Sequence, residues 1–243
     1  MIAFFFVAIS FASNAHIQAL EKDCITAVEQ LKPLVHTYDS IASHYGLAVQ
    51  SVTAMAFSEV VRYGKFQDRI EASASRLFSG ISNYADFSIG MFQMRTICAL
   101  DLEQKIEKDS VLFEKFSELL IYSSNDPSAQ RLERIDRMVN PEIQFVYLCA
   151  FYAHLEHIYE DKIFENKAEK MSFYASAYNS GPSASESKIN KKKNIAFFPY
   201  GSDSEDSITL GEVANYFLKT FADDLFAMPD ISTGQVTDTH NKK

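Results

Sequence analysis

The sequence predicts a mostly α-helical globular protein, and three observations carry that expectation. Apolar residues recur three and four apart over most of the chain, whereas strand-like alternation is nearly absent. Of 243 residues, 47% are hydrophobic and 23% charged, which is enough to bury a sizeable core and too apolar for a disordered chain. Eight Gly and six Pro are too few for a collagenous or low-complexity sequence. Helical periodicity covers residues 20–35, 40–63, 102–122, 141–164, 170–178 and 209–226. Asn140 followed by Pro141 reads as a helix start, because Asn caps and Pro suits the first turn. Gly181-Pro182 reads as the stop of the segment from Lys170. No period of 20 to 50 residues recurs, so a solenoid is not expected.

The ends and the charge set further bounds. Residues 2–12 are apolar, small residues follow at Ser13 and Ala15, and the first charged side chain is Glu21. This pattern predicts a signal peptide over 1–15, although only the Met1 amine supplies positive charge before it. Residues 16–228 are expected to form the globular domain and 229–243 a polar, frayed tail. Polar stretches at 183–194 and 201–207 read as exposed loops. No apolar run reaches about 18 residues, so no membrane span is expected. A formal charge of −9 disfavours nucleic acid as a partner. Cys24, Cys98 and Cys149 are too widely spaced for a metal site or a disulfide framework, and read as small apolar residues with at most one disulfide.

Three segments carry candidate chemistry. In residues 48–63, Glu59 has apolar neighbours Met55, Ala56, Phe57, Val60 and Val61. A poorly solvated carboxyl holds its proton towards the working pH, as a general acid must; a solvated or ion-paired glutamate is the plainer reading of the same pattern. Residues 85–95 contain Gly90, which permits close backbone approach, Met91 and Phe92, which offer an apolar wall, and Gln93, whose amide suits a sugar hydroxyl or acetamide. The same residues equally describe a core turn entering a helix. Residues 174–182 place Tyr178 and Asn179 at a helix end closed by Gly181, where Tyr178 also reads as packing and Asn179 as capping.

Taken in order, a glutamate closing an apolar helix, a G-x-x-Q segment (GMFQM, 90–94) and an A-Y-N-x-G segment (AYNSGP, 177–182) resemble the three signature motifs of the lysozyme-like lytic transglycosylases of the soluble, SLT type. The resemblance spans residues 45–181, about half the chain. It implies a lysozyme-like helical fold with a groove, acting on the glycan strands of peptidoglycan in the periplasm or outside a bacterium, with no metal or cofactor. It implies that Glu59 protonates the oxygen of the MurNAc–GlcNAc β-1,4 bond and then takes the proton of the MurNAc C6 hydroxyl as a 1,6-anhydro ring closes. By the same resemblance Gly90, Met91, Phe92 and Gln93 line the sugar groove, Tyr178 hydrogen-bonds Glu59, and Asn179 binds sugar or braces that contact.

Three features depart from the family pattern. Ser58 precedes Glu59 and Val60 follows it, where the family has serine after the glutamate. Thirty-one positions separate Glu59 from Gly90, which implies an insertion around residues 66–82. The aromatic-rich final motif has its nearest equivalent in FFPYG, 197–201. The insertion brings carboxylates at Asp68, Glu71 and Asp86, and Asp86 facing the cleft would convert the chemistry to hydrolysis, as in goose-type lysozymes. A lysozyme-like module that binds glycan without cutting it is the non-enzymatic alternative. His154 and His157 share a helix face, but HLEH matches no zinc-ligand pattern and no third ligand suggests itself.

Overall fold

The computed structural model describes residues 20–78, 88–199 and 207–227, and over 65–78 the backbone alone. The expected signal peptide at 1–15, the tail at 229–243 and Asp86 lie outside the described residues, as do the side chains of Asp68 and Glu71. The described chain is mostly α-helical, as its periodicity predicts. Among the described residues no helix is long and apolar enough to cross a membrane.

The chain opens with α1 (Glu21–Leu31), a 3₁₀ turn (Lys32–Leu34) and α2 (Val35–His44), then turns at Gly46 into α3 (Val49–Phe78). A short antiparallel hairpin, β1 (Ser88–Ile89) and β2 (Met94–Arg95), pairs Ile89 with Met94 and Ser88 with Arg95. It leads directly into α4 (Thr96–Lys108). The next helices are α5 (Ser110–Phe116), α6 (Pro127–Val139), α7 (Pro141–Ile158) and α8 (Lys167–Ser180). The described chain ends with α9 (Glu186–Lys193), α10 (Leu210–Thr220) and α11 (Ala222–Phe226).

Two helices, α7 and α8, and the first part of α3 are buried nearly all round and form the interior. Residues 52–61 of α3 are buried without a break, and α7 and α8 bury the greater part of their lengths. A helix with no polar face must lie inside a shell of others. Accordingly α3 packs on α1, α7, α8 and α10, and α8 packs on α3, α9 and α10. Phe57 of α3 stacks on Phe217 of α10 at 4.3 Å between ring centroids. Each fully buried side chain of this size stabilises by about 1.5–3 kcal/mol relative to exposure.

Local cap chemistry sets the helix ends. Asn140 accepts from the Glu142 and Ile143 amides, so α7 begins where the Asn-Pro pair predicts. Asp126 and Pro127 do the same for α6, a helix the periodicity leaves unrecognised. Gly181, at φ +95°, closes α8. The stretch 183–194, expected as an exposed loop, contains helix α9 instead. Ser185 caps it, Ile189 inserts into the core, and its three C-terminal lysines suit the negative end of the helix dipole. The extra length after Glu59 is taken up in part by α3 itself, which continues as helix to Phe78. All three cysteines are free thiols, with Cys24 and Cys149 buried. Burial pushes the Cys24 thiol up to about 12.

A buried ion pair ties α4, α6 and α7 together. Arg134 donates from Nε and Nη2 to the two oxygens of Glu103 at 2.9 and 2.6 Å. Tyr122 and Tyr147 donate their hydroxyls to Glu103 Oε1 at 2.5 and 2.6 Å. Burying charge is costly unless partners replace the lost water, and four donors do so here. Glu103→Ala leaves the guanidinium unpaired inside the protein and is expected to lower unfolding stability by about 3–5 kcal/mol. Urea denaturation checks this; a loss below about 1 kcal/mol would show that the pair does not hold the three helices.

Candidate active site

Glu59 lies on α3 inside the buried run and is only 6% exposed. Its carboxylate accepts three hydrogen bonds. Asn179 Nδ2, from the last turn of α8, donates to Oε1 at 2.8 Å, and Arg62 Nη1, one turn along α3, donates to Oε1 at 3.0 Å and Oε2 at 3.2 Å. Arg62 in turn rests over the rings of Phe197 and Phe198, 5.7 and 5.1 Å from their centroids. Phe197 and Phe198 belong to the FFPYG segment expected to supply an aromatic wall, and through Arg62 they lie one step from the carboxylate.

A cleft of about 130 Å³ opens on Glu59, and Gln93, Arg95, Cys98, Tyr178 and Asn179 are among its other walls. Three stretches far apart in sequence therefore meet at one carboxylate: α3, the hairpin and the end of α8. Among the described residues of the lining, Glu59 is the one carboxylate.

The hairpin is held from the core side. Gln144, fully buried in α7, donates from Nε2 to the Ile89 carbonyl at 2.6 Å and accepts from the Phe92 amide at 3.3 Å. Gly90 has φ +66°, and a Cβ there would sit 2.4 Å from Gln144 Oε1 and 2.7 Å from the Met138 carbonyl oxygen. The close approach that Gly90 permits is thus to α7 and to the end of α6, rather than to a ligand. Phe92 is also turned inward. Its ring is fully buried against Tyr38 and Phe145, so it does not line the groove as expected; a side chain that fills the core anchors the turn. Met91 is half-buried against the same core and, with Gly90, is not part of the cleft wall. Gln93 alone of the four reaches the cleft, with its backbone at φ +48°. Its amide nitrogen donates to the Gly90 carbonyl at 2.7 Å, which leaves the amide oxygen for a ligand.

Tyr178 also differs from expectation. Its hydroxyl donates to the Phe92 carbonyl at 2.8 Å, and Asn179 makes the contact to Glu59. Burial, reinforced by the nearby charge of Glu59, pushes the Tyr178 phenol far above its ordinary range, so it remains a donor. Its ring meets Phe151 edge-on at 5.2 Å. Sequence reasoning missed Gln144 and Arg62. For Arg62 the signal is its three-residue spacing from Glu59, which puts both on one helix face. Gln144 gives no signal, since its partners are about 55 positions away.

The two histidines of HLEH have separate partners. His157 pairs with Asp109 at 3.2 Å, while the His154 ring lies 3.2 Å from the Pro182 carbonyl oxygen and joins the segment after α8 to α7. Among the described residues no group of three or more His, Cys, Asp or Glu is placed to hold a metal ion. No protein-family model, curated protein or solved structure matches the chain.

The Gly90–Gln144 contact makes a double-mutant cycle informative. Gly90→Ala and Gln144→Ala are each expected to destabilise by about 1–3 kcal/mol, the first through strain and clash, the second through unpaired backbone groups. The double variant should fall short of the sum by at least about 0.5 kcal/mol, because alanine at 90 no longer meets the amide. Strict additivity in chemical denaturation would contradict the packing. A second expectation concerns acid. Burial lowers the proton affinity of His154 below its ordinary value, so below about pH 6.5 the unfolded chain takes up the proton first and stability falls. His154→Gln should remove that part of the decline between pH 7.5 and 5.5.

Proposed function

We propose that the protein cleaves the glycan strands of peptidoglycan as a lytic transglycosylase, with Glu59 as its single acid and base. The observation that carries this reading is the convergence of the three motif segments on one recessed carboxylate, with the Asn179 amide bonded to it and Gln93 in the wall of the same cleft. A carboxyl so placed can protonate the bridging oxygen between MurNAc and GlcNAc and then accept the proton of the MurNAc C6 hydroxyl as that oxygen attacks C1. The glycosidic bond breaks, the anhydro ring closes, and no water is consumed. One carboxylate suffices for that sequence, whereas inverting hydrolysis needs a second to activate water. Glu59 must exchange the Arg62 contact for a proton before it can donate, with the Asn179 bond left to hold its orientation. Once the proton is given, Arg62 stands ready to stabilise the carboxylate. Export through the segment 1–15 belongs to the same reading, since the substrate lies outside the cytoplasmic membrane of a bacterium.

One observation favours a second reading. Arg62 engages both oxygens of Glu59, as it would in a module that grips glycan strands and leaves them whole. Digestion of purified sacculi separates the two, and mass spectrometry of the products identifies the chemistry. Anhydro ends are expected; reducing ends would mean a goose-type hydrolase, with Asp86 the first residue to test. Intact sacculi after long incubation would leave the binding module. Glu59→Gln should lower release at least about 100-fold while the fold persists. Asn179→Ala, which frees the carboxyl to swing, should cost up to about 100-fold.

A further inference from the structure

In a chain whose formal charge is −9, helix α9 holds four lysines and no acid between Lys188 and Lys193. Ile189 is buried in the core, Lys193 pairs with Glu169, and Glu186 pairs with Lys162, so these three side chains mark the face that α9 turns towards the rest of the protein. Lys188, Lys191 and Lys192 stand three and four positions apart and share another face. Lys188 and Lys191 are exposed and Lys192 is half-buried. The Lys188 ammonium meets the Ser180 carbonyl at 3.5 Å, and that of Lys192 lies 5.1 Å from the centre of the Phe197 ring. Lys191 has no hydrogen bond or ion pair among the described residues, and none of the three is matched there by a carboxylate within ion-pair distance.

Apolar side chains follow directly. The Ile195 amide turns back onto the Lys192 carbonyl at 3.0 Å, which keeps the chain beside the last lysines. Ile195 is 39% exposed, Ala196 is exposed, and Phe197 is half-buried against Lys192. The helix dipole accounts for basic residues in the last turn, but not for Lys188 a turn earlier or for an isoleucine left in water beside them. Lysines next to an exposed apolar side chain suit a lipid headgroup layer, where the ammonium groups meet phosphates and the apolar group enters the acyl boundary. A soluble polyanion would engage the lysines and leave Ile195 idle. Each lysine near an anionic leaflet contributes about a factor of five, so three together are worth on the order of 100-fold. The acidic remainder of the chain does not cancel this, because exposed charges more than about 8 Å away are largely screened at physiological salt.

We propose that this face of α9, Lys188, Lys191 and Lys192 with Ile195 at its end, docks the protein on an anionic lipid surface. The contact is peripheral: lysines on the headgroups and one apolar side chain among them, with no segment crossing the bilayer. It stands independently of the glycan-strand reading of Glu59, since lipid binding requires no cleavage.

Co-sedimentation of the full chain with vesicles tests the proposal, using phosphatidylcholine alone and phosphatidylcholine with about 30% phosphatidylglycerol, a composition chosen to give an anionic surface. The anionic vesicles should bind about tenfold or more tighter than the neutral ones, and the difference should shrink as salt is raised. Lys191→Glu, on an exposed side chain, should remove most of that difference, whereas Lys219→Glu, the same charge change on an exposed side chain of α10, should leave it within about twofold. Ile195→Ser should weaken binding to the anionic vesicles about threefold or more while leaving its salt dependence in place. Equal binding to both kinds of vesicle, binding to neither, or equal losses from Lys191→Glu and Lys219→Glu would overturn the assignment. Binding to inorganic polyphosphate as tight as to the anionic vesicles, with Ile195→Ser without effect on either, would overturn it in favour of a soluble polyanion. A wild type that binds the anionic vesicles as expected but leaves sacculi intact would overturn the transglycosylase reading alone.

Discussion

The site depends on a carboxylate placed inside a stretch of helix, residues 52–61, that is buried without a break. An ionisable group with so little access to water must receive hydrogen bonds from protein or not be there at all. Glu59 receives them from two directions: Arg62 on its own helix, and Asn179 where α8 stops. The second partner imposes a condition on the fold. The helix α8 has to end within reach of the middle of α3, and Gly181, in a backbone conformation that side chains rarely adopt, makes it end there. Helix termination and site geometry are thus the same event.

The opposite wall is set by α7. Gln144 spends both ends of its amide on the backbone of the hairpin, the Phe92 ring plugs the core beneath it, and the Tyr178 hydroxyl grips the Phe92 carbonyl. Three separate attachments on a turn of a few residues leave little freedom, and a positive φ at Gln93 persists only where the surroundings over-determine it. Gln93 is in consequence presented by a rigid support, which is what a group that orients a ligand requires.

What was legible in the sequence follows from the range of each interaction. Caps and helical period are local, so α7 is readable from Asn140-Pro141 and its apolar run. The same cap signal stands at Asp126-Pro127, but α6 is dominated by Arg131, Glu133, Arg134, Asp136 and Arg137, and its narrow buried edge of Ile135 and Met138 hides the period. In α9 a single buried Ile189 among lysines has the same effect. Glu59, Gln93 and Asn179 stand out because each puts a polar group into an ordered pattern. Phe92 and Tyr178 do not reveal their directions, since one position along a tight turn, or one partner 86 positions away, decides between groove and core. Gln144 is invisible for the same reason.

The unpaired thiols bear on what holds such a chain in its native state. Packing, the Glu103–Arg134 pair and the caps close the described fold without a covalent crosslink, and Cys24 and Cys149 are held as inert thiols by their apolar surroundings. No cystine contributes to holding α1, α4 and α7, the helices that carry the three thiols. The packing described holds with every one of the three thiols reduced.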